Sequence, residues 1–335
     1  MSEAQLASRA RTGAADAAPV PASGARMFWR RLRAQRAALA AAVLAAVLLL
    51  VALTAPLLVR LEGQDTTTYH TELVDSARGG VPLGAFGGIS GEHWLGVEPQ
   101  TGRDLFARLV QGAQVSLGVA LAATLIQVAI GVSVGLAAGL GSRWLDAVLD
   151  RLTEVVIALP LIVMALALLA VVPDDFPRPV LVALVIGLVA WGTLAKIVRA
   201  HTVTLKQLDY VAAARLSGWS TWRIARREIL PGLAAPVITY SALLFPANVS
   251  TESALSFLGV GVRPPTPSWG QMLSAADVWY QAAPQYLLLP AGLLFLTVLC
   301  LTVLGDGVRT ALDPRSAARL RVGTRAGRAA KDGAA

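Results

Sequence analysis

Cysteine, lysine and histidine are nearly missing from this chain. Its 335 residues include one cysteine, Cys300, three lysines and three histidines. A single thiol in an apolar run excludes a disulfide framework and a cysteine-based metal centre. None of the lysines (Lys196, Lys206, Lys331) follows a glycine, so no phosphate-binding G-x-x-x-x-G-K-[ST] loop exists and the chain is not an ATPase by itself. His70, His93 and His201 are far apart in sequence and show no metal-ligand spacing. No serine has a histidine or acid placed to activate it. Neither a metal nor a cofactor is expected on this chain. Charge is scarce as well: 15% of residues are charged, where a soluble domain carries about a quarter. With 55% hydrophobic residues and a mean hydropathy of +0.61, a water-soluble enzyme is excluded. The net charge of +8 does not point to nucleic acid, because the basic residues lie in blocks between apolar segments.

Those segments are what the chain has in abundance. Crossing about 30 Å of hydrocarbon as a helix takes roughly 20 apolar residues. Six stretches qualify, at about 38–59, 115–140, 152–172, 179–198, 232–258 and 286–305. The expected fold class is an all-α integral membrane protein with six transmembrane helices. The first run is too long for a signal-peptide core and follows a polar leader of more than thirty residues, so it reads as a retained anchor. Arginine and lysine set the orientation. Of the 29 such residues, 23 lie before the first span, in 141–151, in 196–231 or beyond 308, which predicts that both termini are cytoplasmic. The expected division is a disordered basic leader over 1–36, a first transmembrane helix over 37–60 and an external loop over 61–113 carrying seven acids. A five-helix core over 114–309 follows, with a cytoplasmic loop at 200–231, and a basic tail over 310–335 lies near anionic lipid.

Several residues inside the spans stand out. Gly131, Gly135 and Gly139 repeat every four positions, a small-residue face that admits close approach of another helix, within the chain or from a second subunit. Pro160, Pro236, Pro246 and Pro290 mark kinks, either along a pathway or as plain bends. Glu252 is an ionisable group in the fifth span, roughly 30 Å along it from Gly232 and so near the outer interface. Its place is on the substrate path or in a snorkelling, hydrogen-bonded structural role. Glu154 has the same two readings, with Arg151 as its local partner. Asn248 opens an Asn-Val-Ser acceptor sequence, but within a span it is a chance match.

The stretch 200–231 is the most informative. Two short amphipathic helices are predicted over about 206–217 and 220–229, flanking Gly218, which suits a left-handed turn. Ser220 is placed to cap the second, and Pro231 leads into the next span. Trp219 and Trp222 supply apolar anchors, for the bilayer surface or for a cytoplasmic partner.

Residues 211–231 resemble the Glu-Ala-Ala loop of bacterial ABC importer permeases. Ala213, Ala214, Gly218, Leu230 and Pro231 match that motif, while Ala212 stands where the family has glutamate, removing a charge that helps hold the loop on its ATPase. Residues 93–96 and 102–109 resemble the outer-loop signature of the C-type permease in dipeptide, oligopeptide and nickel systems, with five residues between the halves where the family more often has four. Residues 252–261, including Glu252, Ser253 and Ser256, are similar to further signatures of that subfamily, as are 264–270, 304–309 and 312–315.

The resemblance implies the type I ABC importer transmembrane-domain fold in a bacterial cell membrane. It also implies a second homologous permease, two cytoplasmic ABC ATPase subunits that use ATP-Mg, and an external solute-binding protein. The 206–230 loop then couples ATP hydrolysis to alternating access, with Glu252, Ser253 and Ser256 at an outer gate or pathway. Peptide is the family's commonest cargo, and nickel or another small solute the alternative. The rival from another class is a stand-alone secondary transporter or channel using Glu252 or Glu154. No inverted repeat, paired intramembrane acids or cation ring supports it.

Overall fold

The computed structural model of the protein describes residues 24–173 and 176–312. The leader before residue 24 and most of the expected basic tail, including Asp313, Pro314 and Arg315 of the last motif, lie outside the described residues. The helices are α1 (Gly24–Ala34), α2 (Arg36–Leu53), α3 (Ala55–Glu62), α4 (Leu105–Leu140), α5 (Arg143–Ala158), α6 (Leu161–Val171) and α7 (Arg178–Val189). They continue as α8 (Gly192–Leu205), α9 (Asp209–Leu216), α10 (Thr221–Ile224), α11 (Leu230–Phe257), α12 (Trp269–Ala276) and α13 (Pro284–Leu312). Between α3 and α4 a small cap carries one antiparallel strand pair, β1 (Val74–Asp75) and β2 (Val81–Pro82).

Helix α2, helix α4, the run from Thr221 to Phe257 and helix α13 are each long and apolar enough to cross a membrane. The bent pairs α5–α6 and α7–α8 bring the number to six if each is one span. The third expected span, 152–172, is therefore not a single helix. Pro160 lacks an N–H, and its ring drives Leu159 into extended backbone (φ −79°, ψ 127°), so the chain turns by 86° between α5 and α6. The fourth, 179–198, bends by 43° after Val189. There the Ile186 carbonyl accepts from the Ala190 N–H at 3.1 Å and from the Gln127 side chain at 3.3 Å, a side-chain intrusion into the helical ladder. Pro236, Pro246 and Pro290, by contrast, sit inside α11 and α13 without ending them.

Two boundaries also move. The leader expected to be disordered through residue 36 is helical from Gly24 to Ala34, and Phe28 and Leu32 pack on Ala38 and Ala311. Helix α4 begins at Leu105, well inside the expected external loop, because Asp104 caps it by accepting from the Ala107 N–H at 2.7 Å. Its 36 residues reach about 54 Å, beyond the hydrocarbon on at least one side. Apolar on all sides, α4 runs through the centre and packs against α2, α3, α7, α8 and α11.

Candidate functional site

The loop singled out from the sequence is a helix–turn–helix knob. Helix α9 spans Asp209–Leu216, shorter than the expected 206–217. Gly218 follows in the left-handed region at φ +77°, its N–H donating to Arg215 O (3.0 Å) while the Trp219 N–H donates to Ala214 O (3.1 Å). This is the paired-bond ending that favours glycine. Ser220 Oγ accepts from the Arg223 N–H at 3.4 Å and starts the next helix. That second helix does not stop before Pro231. One α-turn, α10, passes into a wide turn over Ala225–Ile229 in which Leu230 N donates to Ala225 O, five residues back. The wider turn accommodates Pro231, which has no N–H for Arg227 O and whose ring would crowd that carbonyl in a regular helix. The knob is consequently continuous with α11.

The two faces of the knob differ. Val211, Ala214, Ile224 and Ile229 are buried against Leu194 and Val198 of α8 and Leu233 of α11. On the other face Ala212, Ala213 and Gly218 are exposed, as are Leu216 at 91% and Trp222 at 76%. Trp219 is half-buried beneath the Arg223 guanidinium, 4.2 Å from the ring centre. Leu230 and Pro231 are exposed where the knob joins the span.

The structure sets the three glycines of α4 against α8 of the same chain. An added Cβ would meet Leu194 Cβ at 3.0 Å from Gly131, Ala195 O at 2.6 Å from Gly135 and Thr202 Cβ at 2.6 Å from Gly139. Ser133 lies between the first two in a G-x-S-x-G pattern, but mid-helix, with Oγ donating to Ala129 O at 2.7 Å, so it forms no nucleophile elbow.

Glu252, Ser253 and Ser256 are all buried, at 0%, 3% and 1% exposure, so Glu252 does not snorkel to the surface. Ser256 Oγ donates to one carboxylate oxygen at 2.8 Å and Ser253 Oγ to the other at 3.3 Å, while Ser116 and Ser268 present further hydroxyls. Ser256 Oγ also accepts from the Val262 N–H (3.0 Å), Trp269 N–H donates to Ser116 Oγ (3.2 Å), and Gln271 N–H to Ser268 Oγ (3.2 Å). The acid thus sits where α4, α11 and the 259–271 segment converge. Gly270 rests on the Ser253 backbone and Gly261 on Ser256, which leaves no room for a side chain at either position. Glu154 lies at the surface instead, paired with Arg151 at 2.7 Å as expected and with Lys196 at 3.5 Å.

Two polar clusters escape sequence reasoning. Within the spans, Asn248 and Gln127 form a reciprocal amide pair at 3.0 and 3.1 Å, and Asn248 also donates to Thr124 Oγ1 at 2.8 Å. Their signal was two lone amides in apolar runs. Where the cap meets the first turn of α4, Arg108 is fully buried and donates to Glu98 Oε1 (2.6 Å), Thr66 O (3.1 Å), Pro265 O (3.4 Å) and Gln271 Oε1 (2.8 Å). Arg103 Nε donates to the second oxygen of Glu98 at 2.9 Å. His93 Nδ1 lies 2.8 Å from Asp104 Oδ2, and the His70 ring is 5.0 Å from that of His93, although 23 residues separate them in sequence. Glu62, whose carboxylate accepts from the Trp94 N–H at 3.1 Å, is pushed up to about 7 by burial and by the neighbouring Asp104 carboxylate.

Residues 131–317 match the model of the binding-protein-dependent transport system inner membrane component. Residues 23–72 match the N-terminal TM domain of oligopeptide transport permease C. The glutathione transport system permease protein GsiD of Pectobacterium atrosepticum is 34% identical over 290 residues, 87% of this chain and 91% of that protein. GsiD of Salmonella typhimurium is 37% identical over 290 residues, covering 87% and 90%. Among solved structures, an inward-facing MetNI methionine ABC transporter has a TM-score of 0.47 at 17% identity, over 62% of this chain and 98% of that one. With a family model over more than half its length and relatives above 30% identity over most of it, the chain belongs to the binding-protein-dependent transport inner membrane components and is a permease subunit of an ABC importer.

Proposed function

We propose that this permease moves di- or oligopeptides, glutathione among them, into a bacterial cell by alternating access. The fold is that of a type I ABC importer transmembrane domain, with each bent pair counted as one of six spans and both termini in the cytoplasm. The lopsided distribution of arginine and lysine supports that orientation. The peptide assignment rests on the glutathione permeases and on the oligopeptide permease domain to which the chain is similar. A second homologous permease completes the pathway, an external solute-binding protein delivers cargo, and two cytoplasmic ATPase subunits consume ATP-Mg, since this chain has no phosphate loop of its own.

The observation that carries the mechanism is the unbroken helix from Thr221 to Phe257. Its 37 residues make a lever of about 55 Å. An ATPase seated on Ala212, Ala213, Leu216, Gly218, Trp219 and Trp222 pushes on the exposed face of the knob. The buried face, with Ala214, is packed on α8 and α11, so the push passes through Leu230 and Pro231 into the span as a rigid movement. At the far end, Glu252, Ser253 and Ser256 hold α11 to the 259–271 segment, and in this mechanism they form the outer gate. ATP-driven uptake by the reconstituted complex tests the reading. Gly218→Pro is incompatible with φ +77° and is expected to insert normally yet to abolish uptake and co-purification of the ATPase. Normal uptake by that variant refutes the coupling role.

A further inference from the structure

The first described helix, α1, is unaccounted for by transport. Its faces are sorted with unusual clarity. Phe28 and Leu32 pack on Ala38 and Ala311, and between them Arg31 Nη1 donates to Ala311 O at 3.2 Å near the end of α13. These positions, one turn apart, form the docked face. The opposite face carries Trp29, exposed at 56%, with Arg30 and Arg33 also exposed and the Arg33 guanidinium 6.0 Å from the Trp29 ring. No acid occurs anywhere in α1, and exposed Arg36 follows one residue after it. Gln35 then breaks the helix in extended backbone (φ −96°, ψ 96°), and the membrane span α2 begins at once.

We infer that α1 lies in the plane of the membrane surface, and that its Trp29–Arg30–Arg33 face, with Arg36, binds the headgroups of anionic phospholipid. Four observations carry this. Every charge on the face is positive, which complements phosphodiester charge. It bears a tryptophan, whose amphipathic ring suits the headgroup layer. It joins the span through a single residue, so it cannot lie far from the bilayer. Its other face is already satisfied by α13, so what remains exposed is not an unfilled core. Arginine also recognises phosphate oxygens through paired donors, which suits a headgroup better than diffuse attraction alone. The proposed topology would place this face on the cytoplasmic leaflet; the binding itself needs the membrane and not the transport cycle.

The test uses the full chain with Cys300→Ala and Trp29→Cys, spin-labelled at position 29 and reconstituted in vesicles of phosphatidylcholine, alone or mixed with phosphatidylglycerol. The label is expected to be shielded from a water-soluble relaxation agent and accessible to oxygen. In a parallel sample with Trp29 intact, spin-labelled phosphatidylglycerol is expected to associate more tightly than spin-labelled phosphatidylcholine. Each of Arg30→Gln and Arg33→Gln should weaken that preference by about fivefold at low salt, equivalent to about 1 kcal/mol per arginine. Arg30→Lys with Arg33→Lys, which keeps the charge, should retain most of it. Because both arginines are exposed, the glutamine variants should fold as the parent does, which an unchanged thermal midpoint checks. A label that stays in water, an absent lipid preference, or a preference indifferent to the glutamine substitutions overturns the inference. Synthetic vesicles carry the same lipid in both leaflets, so a failure here is independent of whether the termini are cytoplasmic or the cargo is peptide.

Discussion

Arg108 offers the sharpest test of how the cap between α3 and α4 is held to the helical core. Its guanidinium is fully buried, as is the Glu98 carboxylate at 1% exposure. Four acceptors from three separate stretches of chain converge on it: Glu98 and Thr66 of the cap, and Pro265 just before α12 with Gln271 in its first turn. Arg108→Met keeps the bulk and removes every donor. Glu98 retains Arg103 on its other oxygen at 2.9 Å, so its charge is not abandoned completely. Breaking a buried pair costs about 3–5 kcal/mol, and each orphaned acceptor roughly 1 kcal/mol or more where water cannot enter. A net loss of about 4 kcal/mol is expected, a large share of the ~5–15 kcal/mol that holds a typical fold together. The assay is thermal unfolding of the purified chain in mild detergent, where the midpoint should fall by roughly 8–16 °C. A double-mutant cycle with Glu98→Gln isolates the pair, and removing both partners should cost distinctly less than the two single losses added. A loss under about 1 kcal/mol, or strict additivity with Glu98→Gln, refutes the hub.

Further outcomes follow from the other clusters. Gly135→Ala places a methyl 2.6 Å from Ala195 O and 2.7 Å from Val198 Cβ, and should cost roughly 1–3 kcal/mol in thermal unfolding. Gly118→Ala, in the same helix with nothing within 4 Å, should be neutral or slightly stabilising, and equal losses at both sites would dismiss the packing seam. Gln127→Leu and Asn248→Leu each strand a buried amide and should cost about 1–2 kcal/mol, whereas the double leucine variant should lose less than the sum. Glu62 ionises at about 7 in the folded cap against 4.5 ordinarily, so the folded state binds its proton more tightly than the unfolded one. The resulting stabilisation is complete below about pH 4.5 and is lost as pH rises through about 7. Comparing the thermal midpoints of wild type and Glu62→Gln between about pH 5 and pH 8 reads this directly, and parallel curves would remove Glu62 from the account.

Much of this was legible without coordinates, for reasons that are local. Ser220 and Gly218 announce a cap and a left-handed turn because those conformations depend on the residue itself. The four-residue glycine spacing announces a helix–helix seam for the same reason. What failed was continuity. Pro160 marks a kink in the sequence, but only the structure makes it an 86° turn between two helices, and the wide turn before Pro231 joins knob and span into one helix across that proline. A hydropathy window averages over both events. Helix α1 gives no hydropathy signal, because eleven residues rich in arginine are too short and too polar to read as a span.

The long-range polar sets were beyond reach for a different reason. Arg108 and Gln271 are 163 residues apart, Gln127 and Asn248 121 apart, and nothing in either neighbourhood names the other. Composition and motif were enough to establish a membrane-embedded permease, because lipid imposes its demands on every residue of a span and the knob is a contiguous stretch. Which glycine face meets which helix, where the carboxylate of Glu252 finds its hydroxyls, and how the cap is tied down depend on chain crossings. Hydrogen bonds and close contacts act only within a few ångströms, so they came into being only when the helices packed.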